Sequence, residues 1–155
     1  MSADDVGAPG AATGADDTIR PPAVCVRDTG DERGRGVFAT RTHAAGELVE
    51  TAAVFVFSLR SAWLPELIKR CIYSWEVLAG VPGTRALALG YGSLYNHANP
   101  ANMRYEADAD RQVLRFIAVR QIDDGEELTI NYNAVGGEAF WADDNWFENH
   151  GITVR

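Results

Sequence analysis

Large apolar residues fall in short runs along the chain, broken by glycines and acidic turns, and the longer runs alternate with a period of two. Residues 1–22 are the exception, being mostly Ala, Gly, Asp and Pro with acidic doublets at Asp4-Asp5 and Asp16-Asp17. Such a segment cannot bury enough surface to offset its ordering entropy, so a disordered tail is expected there. From Ala23 onward β signals dominate: Val24-Cys25-Val26, a turn-rich stretch from Asp28 to Gly34, then Gly36 to Ala39. Glu47 to Phe57 is the longest β-prone run, with Phe and Val alternating at its end. A short helix is predicted from Pro65, a further strand over Cys71 to Val77, and a turn at Gly80-Val81-Pro82-Gly83. Met103–Glu106 and Val113–Ala118 flank Asp108-Ala109-Asp110 as a hairpin would, and a strand is predicted over Leu128–Tyr132 after the turn at Asp123–Glu126. Phe140 to Phe147, with two Trp and two Phe, fits a short helix better than a strand.

These elements predict a mostly β fold of several short sheets with little helix. No βαβ rhythm is present, which excludes a doubly wound sheet. Arg33-Gly34-Arg35-Gly36 is not a GxGxxG fingerprint and lacks the flanking strand and helix that a dinucleotide site requires. At 155 residues and 46% apolar content, one domain with a real core is expected. The 14 basic and 22 acidic residues give a net charge of −8. That balance disfavours nucleic acid and favours a basic protein or peptide as partner. Cys25 and Cys71 form no disulfide framework or zinc motif, and His43, His97 and His150 lie too far apart to suggest a metal site. No apolar run approaches the ~20 residues of a membrane helix, and no signal peptide is visible. A soluble protein of the reducing cytoplasm is expected.

Three stretches carry the candidate chemistry. Gly34 and Gly36 allow positive φ and close approach of the backbone to a ligand. Asn96-His97, between Tyr95 and Asn99-Pro100, offers a carboxamide that can both donate and accept, suited to an amino acid or an adenine edge. Tyr132 closes the run Gly125-Glu126-Glu127-Leu128-Thr129-Ile130-Asn131-Tyr132. In order and spacing, Arg33–Ala39, Gly90–Pro100 and Gly125–Tyr132 resemble the SET-domain protein lysine methyltransferases. The likeness runs from about Val24 to about Asn133.

The resemblance implies a β-clip fold in which the Asn-His and tyrosine segments cross in a knot-like arrangement. It implies S-adenosyl-L-methionine as cofactor, held by Arg33, Gly34, Arg35, Gly36, Val37, Phe38, Tyr95, Asn96 and His97, and Tyr132 as the catalytic residue. Tyr91, Tyr105, Tyr132, Phe140, Trp141 and Trp146 would wall a lysine channel, with residues 134–155 as a lid. The family's zinc-binding flanks are missing, and Ala98 stands where Ser or Cys usually follows the histidine. Residues 23–133 would form the domain, with self-association into a homodimer left open. Two rivals stand beside this reading: a SET-fold module that binds lysine-rich peptides or cofactor without turnover, and a β-rich interaction protein whose motifs are plain turns. Glu126, Glu127, Asp143, Asp144 and Glu148 read as solvated charges, the last three also as a flank for a basic substrate.

Overall fold

The structure is a computed structural model, describing residues 18–58 and 64–145. Nine strands and two short helices follow one another in those residues: β1 (Val24–Asp28), β2 (Arg35–Ala39), β3 (Leu48–Ser58), α1 (Glu66–Lys69), β4 (Ile72–Tyr73), α2 (Trp75–Ala79), β5 (Thr84–Ala88), β6 (Asn96–His97), β7 (Met103–Asp108), β8 (Val113–Ala118) and β9 (Glu127–Ile130). They form two sheets, one in the order β1-β2-β9-β6 and one in the order β4-β5-β3-β8-β7. The mostly β prediction holds, as do the short helix after Pro65 and the hairpin of β7 and β8, paired from Met103↔Ala118 to Asp108↔Val113.

Two expectations need correction. Over Cys71–Val77 only Ile72 and Tyr73 pair as a strand, because Ser74 opens a helix that buries Trp75 and ends at Gly80 with φ 71°. The helix expected over Phe140–Phe147 is absent from 140–145, where the backbone is irregular. Its polar groups are engaged elsewhere: the Ala139 carbonyl accepts from the Ala101 N–H at 2.7 Å, and Trp141 pairs with the Asn99 side chain. Residues 146–155 lie outside the described residues, as do 1–17 of the expected tail; 18–22 are without strand or helix.

Alternation places the core between the sheets. In β8, Leu114, Phe116 and Ala118 are buried while Arg115 and Ile117 are half-buried on the other face. They pack with Val37, Leu128, Met103 and Tyr95. β3 breaks the period of two. Its register with β8 shifts between Leu48 and Glu50, a bulge that leaves Val49 and Glu50 both buried. A carboxylate is thereby carried into the core, 4% exposed.

Candidate active site

The site is assembled where β6 lies parallel to β9, Asn96 opposite Thr129 and His97 opposite Ile130. β9 in turn pairs with β2 through Val37↔Leu128 and Phe38↔Glu127. Three segments far apart in sequence thus meet along one sheet edge, and Tyr132, just past β9, comes to lie against residues 95–97. Its hydroxyl donates to the Tyr95 carbonyl at 2.6 Å, and its ring centroid is 5.3 Å from that of His97. Burial pushes its phenol up to about 12, so it stays protonated and a donor at neutral pH.

The Tyr132 N–H donates to Nδ1 of His97 at 3.0 Å, and Nε2 of His97 is 2.9 Å from Oδ1 of Asp144. With Nδ1 accepting, the proton of a neutral ring belongs on Nε2. Burial lowers the His97 pKa below its usual value, and Asp144 works against that shift. Asp144, expected as a solvated charge, is therefore part of the site, and it also accepts from the Asn133 amide at 2.6 Å.

Asn96 donates to the Arg35 carbonyl at 3.0 Å and to Glu127 at 2.8 Å, tying β6 to the glycine turn. Its carbonyl oxygen has no partner among the described residues, so the amide presents an acceptor. The two glycines of that turn do different work. Gly34 has φ 75° and open space where a side chain would stand. Gly36 lies within β2, where a Cβ would come 2.4 Å from Glu127 Oε1 and 2.9 Å from Thr29 Cγ2. Arg33 is held by Asp31 and reaches Glu127 at 2.9 Å. Arg35 is exposed, and its carbonyl is engaged by Asn96.

Other expected cofactor residues turn inward. Val37 is fully buried and offers only backbone. Phe38 lies under the Arg27 guanidinium, 3.9 Å from its ring centre. Tyr95 is 1% exposed, and its hydroxyl donates to Glu50 Oε2 at 2.6 Å. What Tyr95 gives the site is its carbonyl oxygen, not a ring wall. Glu50 also accepts from the Tyr91 N–H at 2.9 Å, so the carboxylate buried by the bulge positions the whole 91–95 turn. Burial raises its pKa, while Tyr95 and the Tyr91 backbone oppose the shift.

Tyr105, Tyr132 and two residues missed in the sequence, Tyr73 and Cys71, form a cluster of polar heads. Burial, and then the proximity of Tyr105, Tyr132, Glu50 and Cys71, raise the Tyr73 phenol far above its usual range. Tyr73 and Tyr105 meet edge to face with ring centres 5.2 Å apart. The Tyr105 hydroxyl donates to the Ala134 carbonyl at 3.2 Å, and Tyr73 donates to the Gly92 carbonyl. Tyr91 is half-buried against the same core. Phe140 and Trp141 are exposed at 63% and 40%, leaving surface for a ligand to cover, while Trp146 lies outside the described residues. The signal for Tyr73 and Cys71 was tertiary only; both sit at a strand whose pairing the sequence did not reveal.

Among the described residues no group of three or more His, Cys, Asp or Glu is placed to hold a metal, and no helix is long and apolar enough to cross a membrane.

Residues 34–133 match the family model of the SET domain. The chain is 31% identical over 129 residues to the "Histone-lysine N-methyltransferase, H3 lysine-37 specific" of Schizosaccharomyces pombe, covering 81% of this chain and 80% of that one. Among solved structures it is similar to the Neurospora SET-domain protein DIM-5, a histone lysine methyltransferase (TM-score 0.57, 20% identity, 74% of this chain and 53% of that one). It is also similar to Polycomb repressive complex 2 of Chaetomium thermophilum, autoinhibited and bound to S-adenosylmethionine (TM-score 0.58, 21% identity, 74% of this chain and 15% of that one). At those identities the structural likenesses speak to the fold.

Proposed function

The chain belongs to the SET-domain family of lysine methyltransferases, and from that premise we propose that it is an S-adenosyl-L-methionine-dependent enzyme methylating a lysine amine in a basic protein. The observation that carries the reading is Tyr132, its hydroxyl fixed on the Tyr95 carbonyl one residue from Asn96, next to the open glycine turn.

The residues present fit that cofactor. Gly34 leaves the backbone bare for close approach, and Asn96 offers an acceptor suited to an amino group. When bound, the cofactor supplies an electrophilic methyl on a sulfonium. Transfer to an amine needs alignment and exclusion of water more than a strong base. Tyr132 and the Tyr95 carbonyl are held together to orient the reacting groups, and such oxygens favour a polarised methyl through weak CH···O contacts. The lysine must arrive neutral although its free pKa is about 10.4. Exclusion from water beside a positive charge disfavours its charged form, so the proton leaves to water without a carboxylate base. The net charge of −8 draws a basic substrate. Two free thiols, Cys25 and Cys71, agree with work in the reducing cytoplasm.

The test is incubation with methyl-labelled S-adenosylmethionine and a mixture of histones, ribosomal proteins and lysate, beside Tyr132→Phe. The expected result is label in lysine with wild type and a loss of at least about tenfold in the variant, because the Tyr95 carbonyl is left without its donor. No label together with no cofactor binding by calorimetry would overturn the reading.

A further inference from the structure

Tyr132 is placed with little help from a strand ladder, since the β6–β9 pairing ends at His97↔Ile130. Its backbone N–H is satisfied by a side chain instead, Nδ1 of His97 at 3.0 Å. That bond exists only while Nδ1 is bare, which requires the ring proton on Nε2 and a partner that accepts it there. Asp144 Oδ1 is that partner at 2.9 Å, and the same oxygen takes the Asn133 amide at 2.6 Å. One carboxylate from an irregular segment thereby ties down the residue that holds Tyr132 and the residue that follows it.

We propose that Asp144 is a positioning residue for methyl transfer, fixing the His97 tautomer that holds the Tyr132 backbone; this rests on the methyltransferase reading above. An aspartate can only accept, so it admits one neutral tautomer of His97. An asparagine can turn its amide to donate, which lets the proton move to Nδ1, where it faces the Tyr132 N–H. Protonation of His97 has the same consequence, since both ring nitrogens then donate. Among the described residues, the ring meets Asp144 from the carboxyl-terminal segment and Tyr132 from beyond β9, while Glu127, on β9, is turned to Asn96 and Arg33.

The experiment compares wild type, Asp144→Asn and Asp144→Ala by nitrogen-15 NMR of the histidine rings and by kcat as a function of pH. The chain has three histidines, so His97 is assigned by His97→Gln. The NMR arm needs no turnover and separates failure of this proposal from failure of the enzyme reading. Wild type is expected to show Nε2–H, and Asp144→Asn a mixture of tautomers. kcat is expected to fall roughly tenfold in both variants with the KM for cofactor changed less than twofold, as for one lost hydrogen bond to a charged group. The acid limb of the profile moves to lower pH, because Asp144 supports the His97 pKa and its removal leaves burial unopposed. A merely structural Asp144 would lower kcat equally at every pH and leave the limb in place. A wild-type ring protonated on Nδ1 at neutral pH, or unchanged tautomer and limb in Asp144→Asn, would overturn the proposal.

Discussion

Gly137→Ala tests how the carboxyl-terminal segment is attached. Gly137 has φ 88°, and a Cβ there would stand 2.1 Å from the Tyr105 carbonyl oxygen and 3.0 Å from its Cδ2. The nearest obstacle is backbone within β7, so it cannot swing aside as a side-chain tip would. The Gly137 carbonyl also accepts the Tyr105 N–H at 2.9 Å, a bond the displaced segment would lose. Forcing an L-residue into the left-handed region costs about 1 kcal/mol, the lost hydrogen bond about 1 more, and residual overpacking about 1. The sum of about 3 kcal/mol corresponds to a Tm lower by roughly 6–12 °C in a domain of this size. Gly46→Ala is the control: φ is 81°, but nothing lies within 4 Å of its Cβ position, so only the conformational cost of about 1 kcal/mol applies. Differential scanning calorimetry gives the two Tm values, and hydrogen exchange at the Tyr105 amide reports whether the segment has come away from β7. Equal Tm losses for the two variants, with the Tyr105 amide still protected, would show that close packing of Gly137 on Tyr105 does not hold the segment.

Gly36→Ala should weaken cofactor binding by calorimetry, because the new methyl must push aside Glu127, which holds Asn96, as well as the Thr29 methyl; unaltered affinity would count against that link. Glu50 has a pKa raised by burial, so the folded state binds its proton more tightly than the unfolded chain and stability falls as pH rises from about 4.5 through the folded value. Glu50→Gln should lose that part of the slope in urea melts run across pH; an unchanged slope would show that Glu50 does not supply it. Glu47 behaves oppositely: its bond from Arg41 holds its pKa down at about 2, so its contribution is present above 4.5 and is lost as pH falls toward 2. Glu47→Gln should therefore be less stable than wild type at neutral pH, by up to about 1 kcal/mol given solvent screening, and equal to it near pH 2. A gap that persists in acid would point to something other than that charge.

The strands were legible where a short β-prone run met a turn signal, as in β2, β7, β8 and β9. Glu47–Phe57 was legible as a strand, but the bulge inside it was not, because the extra residue is set by the register against Ile117 and Phe116 of the distant β8. The bulge alone sends Glu50 inward to hold Tyr91 and Tyr95. Residues 74–77 misread because Trp75 and Val77 suit a strand, whereas Gly80 ends a helix that buries Trp75. At the site, the three motifs and Tyr132 stood out through local composition and family likeness. Asp144 did not, since its neighbours Ala142, Asp143 and Asn145 look like a solvated loop and its partner lies 47 residues back.

The parallel seating of β6 beside β9, closed by Asp144, also sets a schedule for biosynthesis. A growing chain can form the hairpin of β7 and β8 as soon as residue 118 is free, but Asn96 and His97 have no strand to pair with until residues 127–130 emerge. The contact of His97 with Asp144 waits for residue 144. Domains form from the amino end during synthesis, and here the catalytic centre is completed later than the core that carries it. A nascent chain whose residues from 127 onward have not yet emerged would thus lack the strand against which Asn96 and His97 are seated.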